Sequence, residues 1–120
     1  MIDTTAPAPR LHGDLERQPT RVVTPATPLP QHVSWYRLAP GGTCTLHVHT
    51  GKTETWLVVD GTGEARIGDE AVAIRPGDVL VTEPGTPHGM VNTGGTALRF
   101  VNIVAVSGPD AISTRELEGR

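Results

Sequence analysis

From residue 32 onward the chain is a succession of short extended runs, each closed by turn residues, and this spacing limits the fold more than any other feature. Val33 to Ala39 ends at Pro40-Gly41-Gly42, Thr43 to His49 at Thr50-Gly51-Lys52, and Glu54 to Val59 at Asp60-Gly61-Thr62-Gly63. Glu64 to Ile67 ends at Gly68-Asp69, a tight hairpin signal. Glu70 to Arg75 precedes Pro76-Gly77-Asp78, Val79 to Thr82 precedes the Pro84 turn, and His88 to Asn92 ends at Thr93-Gly94-Gly95. Thr96 to Val106 is the longest run. About eight or nine strands so evenly spaced predict an all-β barrel or sandwich.

A chain of 120 residues is one domain by size. The barrel is expected over residues 21–107. Residues 1–20 are expected to form a flexible N-terminal arm, because Ile2, Leu11 and Leu15 are too sparse to build a face. Pro19, Pro25, Pro28 and Pro30 leave room for at most a short edge strand around Arg21-Val22-Val23. Residues 108–120 read as a C-terminal tail, with a helical turn expected from Asp110 through Ala111 to Glu118.

Formal net charge is -3 and no Lys/Arg block occurs, so neither nucleic acid nor a membrane is an expected partner. The single cysteine, Cys44, allows no internal disulfide. With no apolar signal-peptide core at the start and no membrane-length apolar run, cytoplasmic location is the default expectation.

Within this β pattern, His47 and His49 are two apart and project from one face of their strand. Glu54 begins the next run just past the Thr50-Gly51-Lys52 turn and can return to the same place. His88 follows the rigid Pro84-Gly85-Thr86-Pro87 turn. Three imidazole nitrogens and one carboxylate oxygen suit one divalent transition metal ion: Fe(II), Mn(II), Ni(II), Co(II), Cu(II) or Zn(II).

These residues resemble the cupin family. Its first motif, G-x5-H-x-H-x4-E-x6-G, is met by Gly41, His47, His49, Glu54 and Gly61. Its second, G-x5-P-x-G-x2-H-x3-N, is met by Gly77, Gly85, His88 and Asn92, with Glu83 where the pattern has its proline. The resemblance implies a cupin-type jelly-roll β-barrel with His47, His49, Glu54 and His88 as metal ligands inside it. It names no reaction, because this fold hosts many. Small cupins commonly pair, and here Leu46, Val48, Leu57 and Val59 lie on strand faces opposite the ligands. A homodimer is therefore expected, with the N-terminal arm as another cover for those faces.

By period two, Trp56 and Val58 share the Glu54 face, and Met90 and Asn92 share the His88 face. Tyr36, Trp56 and Met90 are candidate substrate contacts. Tyr36 and Arg37 point to opposite faces, and the sequence does not say which is inside. Asn92 fits either a ligand-orienting or a structural bond. Glu83 reads as a loop charge, Cys44 as packing facing away from His47, and His12 and His32 as histidines without a role.

Four protein ligands leave one or two positions open on an ion that takes five or six. Two enzyme readings follow, both giving Glu54 a catalytic part besides ligation. In the first, Fe(II) holds a chelating organic substrate together with dioxygen, giving a dioxygenase. In the second, the ion is a Lewis acid, as in cupin isomerases, lyases and polyketide cyclases. A non-catalytic small-ligand barrel is the third reading. The apolar Trp56, Val58 and Met90, without a basic cluster near the motifs, favour an uncharged or singly charged substrate over a sugar phosphate.

Overall fold

A computed structural model describes residues 2–3, 10–23, 31–106 and 112–118. Twelve strands follow in order: β1 (Ile2–Asp3), β2 (Glu16–Gln18), β3 (Arg21–Val22), β4 (His32–Leu38), β5 (Thr43–Thr50), β6 (Lys52–Asp60), β7 (Gly63–Ile67), β8 (Glu70–Ile74), β9 (Val79–Thr82), β10 (His88–Val91), β11 (Leu98–Val106) and β12 (Ser113–Glu116). Two antiparallel five-stranded sheets, ordered β12-β5-β10-β7-β8 and β2-β4-β11-β6-β9, make the jelly roll, and β1 pairs with β3. Among the described residues no helix is present, so none is long and apolar enough to cross a membrane.

The β2-β4-β11-β6-β9 sheet shows how alternation builds an interior. Directly paired residues share a face, so the registers lay three rows across its inner side. Arg17, Tyr36, Phe100 and Val58 form the first, and Ser34, Asn102, Trp56 and Leu80 the second. His32, Val104, Glu54 and Thr82 form the third. Leu38 and Leu98, paired beyond the first row, are fully buried. The interior therefore grades from apolar at one end to polar at the other, where Glu54 sits.

Turn glycines hold the hairpins in place. Gly61 has φ 86°, and a Cβ there would stand 2.5 Å from the Ala97 carbonyl oxygen. Both the left-handed backbone and the close approach exclude a side chain.

Three sequence expectations change. The segment read as an arm contributes to the barrel: Leu15 is fully buried in the core, and Glu16–Gln18 pair with β4. Residues 11–15 close on themselves through Leu11 N–H to the Leu15 carbonyl at 2.7 Å, and dock on β5 through Thr45 N–H to the His12 carbonyl at 2.7 Å. Periodicity missed this because one leucine in a hook shows no period. Residues 4–9, 24–30 and 107–111, with most of the proline-rich stretch, lie outside the described residues. Near the C-terminus, 113–116 form a strand and not a helical turn. The open edge of β5 offers unpaired backbone groups, and β12 satisfies them in the register Ser113↔Thr50 to Glu116↔His47.

Cys44 is the third change. Its partner on β10 is Met90 while His47 pairs with His88, so three steps on β5 match two on β10. This β-bulge breaks the alternation and turns Cys44 inward, where it is fully buried among core residues. Burial pushes its thiol up to about 12, so it stays a neutral packing group.

Candidate metal centre

His47 and His49 project inward from β5, Glu54 from β6 and His88 from β10, and all four are buried. Glu54 Oε1 lies 3.1 Å from His49 Nε2 and 3.2 Å from His88 Nε2. The His47 ring centroid stands 4.3 Å from that of His88 and 4.8 Å from that of His49.

Each imidazole is held from behind. His47 Nδ1–H donates to the Thr45 carbonyl at 2.7 Å and His88 Nδ1–H to the Thr86 carbonyl at 3.0 Å. A carbonyl only accepts, so both rings carry a proton on Nδ1 and turn Nε2 toward the cluster. His49 Nδ1 pairs with Thr114 Oγ1 at 2.7 Å, and Asn102 Nδ2 donates to Glu54 Oε2 at 2.8 Å. Such outer partners set tautomer and ring direction in metal sites.

The donor set passes a direct test of fit. Glu54 Oε1 and His88 Nε2 are buried with no hydrogen-bond partner, a costly state for neighbouring polar atoms unless something bonds both. Ligands about 2.1 Å from one ion and at right angles around it stand about 3 Å apart, close to the separations here. His49, Glu54 and His88 offer ligand atoms all within 4.8 Å of one another; His47 does so with His49 and His12. These residues could hold one divalent ion.

Burial pushes the His47 imidazole down to about 3. For Glu54, burial opposes ionisation, but His49, His88 and Lys52 outweigh it and hold the carboxyl well below its usual range. Both shifts act in one direction. Between pH 6.5 and about 3 an unfolded His47 takes up a proton that the folded one refuses. Below about 4.5 the same holds for Glu54. Stability of the metal-free protein is present above these values and lost as pH falls. One group gives a slope of at most about 1.4 kcal/mol per pH unit, or roughly 5 °C in melting temperature. Thermal melts from pH 7 to pH 4 should show this decline, and a flat profile would contradict it.

A cavity of about 470 Å³ opens on the cluster. Tyr36 and Trp56, two of the three candidate substrate contacts, line it, and burial pushes the Tyr36 phenol up. Met90 does not. It is buried behind His88, where with Trp56 it borders a separate void of about 10 Å³. Arg37 faces outward and pairs with Glu16 at 2.9 Å. Asn92 is structural: its Nδ2 donates to the carbonyls of Leu38 and Thr96, and its Oδ1 accepts from Gly94 N–H. Glu83 is exposed and accepts from Thr53 Oγ1 at 3.4 Å.

Several wall residues escaped the sequence reading. His12 stacks on His47 with centroids 3.5 Å apart and planes 2° apart, and its Nδ1 lies 3.1 Å from Glu116 Oε2. His12 has φ 53°, unusual for a non-glycine residue. Arg17, His32, Ser34, Lys52 and Asn102 also line the cavity. Asn102 left one usable signal, an amide in period two with Leu98 and Phe100 on an apolar face. Replacing it by leucine should lower metal affinity roughly 10–100-fold without unfolding the barrel. Metal titration would measure this, and parental affinity in Asn102→Leu would count against its supporting role.

A family model described as the cupin domain matches residues 34–104. The chain belongs to the cupin family. This cupin is 35% identical over 68 residues to an oxalate-binding protein of Thermotoga maritima, covering 57% of the chain and 56% of the relative. It is 31% identical over 64 residues to the xanthan biosynthesis protein XanB of Xanthomonas campestris, covering 53% of the chain and 14% of that protein. The chain thus spans about half the length of the first relative and about one-seventh of the second. Among solved structures, a predicted oxalate decarboxylase of Thermotoga maritima superposes with TM-score 0.73 at 24% identity, covering 88% of this cupin and 99% of that chain. The polyketide cyclase RemF of Streptomyces resistomycificus gives TM-score 0.74 at 17% identity, covering 98% and 82%. At those identities the two superpositions speak for the fold alone.

Proposed function

We propose that this cupin is a metal-dependent enzyme, with His47, His49, Glu54 and His88 as ligands, and that it oxygenates a small organic substrate. One observation carries the reading: the unpartnered Glu54 Oε1 and His88 Nε2 converge in a cluster that opens on a cavity walled by Tyr36 and Trp56. When bound, an Fe(II) ion would supply open positions for a chelating substrate and dioxygen. The chain's residues do the rest. The carbonyls of Thr45 and Thr86 aim two imidazoles, Asn102 anchors the Glu54 carboxylate, and the aromatic wall receives the substrate's bulk. Glu54→Gln removes charge and a proton acceptor, so it should impair activity more than folding.

A specific observation also favours the Lewis-acid reading of an isomerase, lyase or cyclase. His12 is oriented by Glu116 beside His47, an arrangement suited to moving a proton without redox change. Similarity to the oxalate-binding protein of Thermotoga maritima keeps a non-catalytic small-ligand barrel, here one for a carboxylate, as the third outcome. Oxygen uptake by the Fe(II) form with a panel of enolisable and catecholic substrates tests the proposal. Uptake with an inert Zn(II) form supports oxygenation. Full turnover by the Zn(II) form without oxygen rejects it for the Lewis-acid reading, and binding without turnover by any metal form favours the third.

Assembly as a homodimer belongs to the same proposal. Leu57, Val79 and Val81 are 37%, 59% and 50% exposed on the outer side of β6 and β9, with Leu57 and Val79 direct partners. An open apolar stripe of this kind suits a second copy. Sedimentation at micromolar concentration should give twice the monomer mass, and a monomer would end the proposal.

A further inference from the structure

Among the described residues lining the cavity, Glu54 is the only acid, while Arg17 and Lys52 bring two full positive charges. The wall is therefore net positive before any metal ion is counted, inside a chain whose net charge is -3. Lys52 has a counter-charge, its Nζ lying 3.9 Å from Glu54 Oε2. Arg17 does not. Among the described residues its hydrogen-bond partner is neutral, Ser34 Oγ at 3.0 Å from Nη2, and it has no ion pair. Arg37, on the opposite face of the adjoining strand, pairs with Glu16.

The registers place Arg17 relative to the candidate ligands. Glu54 Oε2 is held by Asn102 on β11, whose direct partner on β4 is Ser34, and Ser34 receives Arg17. The guanidinium thus lies one strand spacing beyond the amide that touches Glu54. With strands about 4.8 Å apart, it stands roughly 8–10 Å from the Glu54 carboxylate. That gap suits a molecule a few carbons long. Nearby, Tyr36 is kept a neutral phenol by burial, and Trp56 Nε1–H is buried with no partner.

We infer that Arg17, with the hydroxyls of Ser34 and Tyr36, forms a carboxylate subsite at the far side of the cavity from the candidate ligands. The substrate is then an organic acid that chelates through oxygens at one end and presents a carboxylate at the other. A guanidinium matches a carboxylate with paired donors in a fixed plane, which an ammonium does not. This inference rests on the metal-enzyme reading and sharpens its substrate class.

Two probes separate the claims: acetohydroxamic acid, which has only the chelating end, and succinic monohydroxamic acid, which adds a carboxylate. Each is titrated into the full-length Co(II)-loaded protein at low salt, read by the visible absorption of cobalt. The parent should bind the succinic probe roughly tenfold to a hundredfold more tightly. In Arg17→Met that advantage should fall below about threefold, while acetohydroxamic acid binds as in the parent and so reports an intact, loaded site. Arg17→Lys should keep part of the advantage. Equal binding of the two probes by the parent, or a full advantage in Arg17→Met, overturns the subsite while leaving the metal reading standing. If neither probe perturbs the cobalt spectrum, the metal reading fails and the subsite falls with it.

Discussion

His88→Ala is expected to lower metal affinity by roughly a hundredfold to a thousandfold while the barrel stays folded. A four-ligand site holds its ion with about 10–16 kcal/mol of apparent free energy, so one ligand is worth roughly 3–4 kcal/mol. His88 also leaves no structural hydrogen bond unreplaced elsewhere: its Nδ1 partner is the Thr86 carbonyl, at a turn that water can reach. His49→Ala should behave alike. Isothermal titration with Zn(II) or Co(II), beside circular dichroism, separates lost binding from lost fold. Parental affinity in the variant lacking all four candidate ligands would place the metal elsewhere, and a random-coil spectrum for His88→Ala would contradict the expected independence of fold and ion.

Phe100→Ala should have the largest effect on stability. The side chain is fully buried between Trp56, with centroids 4.8 Å apart, and Tyr36, at 5.8 Å. Removing a buried phenyl ring costs about 3–5 kcal/mol, the transfer of the ring plus the cavity left behind. In a domain of this size that is roughly 15 °C in melting temperature. The loss reaches the site, since both stacked neighbours line the cavity. Calorimetry would measure it, and a shift below about 5 °C would show that the core closes over the gap.

What the sequence reveals follows the range of the physics involved. His47, His49 and Glu54 are legible because period two and one short turn bring them together within eight residues. His88 is legible because a rigid turn and the family spacing fix it. Trp56 falls on the Glu54 face by the same alternation. Alternation only sets Tyr36 opposite Arg37, and the pairing of β4 with β11 decides which of them faces the cavity. Cys44 breaks the rule because a bulge depends on how β10 pairs, which no local pattern reports. Arg17, His12 and Asn102 come from strands or hooks far along the chain, and only sheet register carries them to the site. The misread C-terminal strand has the same origin. Its residues have no strong strand pattern of their own and become a strand because β5 has an edge to fill.

That last strand has a consequence for how the protein is made. Thr114 steadies His49, Glu116 reaches both His12 and the Thr45 hydroxyl, and Glu118 clasps Arg66 and the Leu46 amide. All four candidate ligands leave the ribosome before these supports do. A nascent chain ending near Val106 would own the donor atoms but not the scaffold that aims His49 or seats His12. An ion bound by the four candidate ligands would therefore meet a fully supported site only once synthesis has passed residue 118.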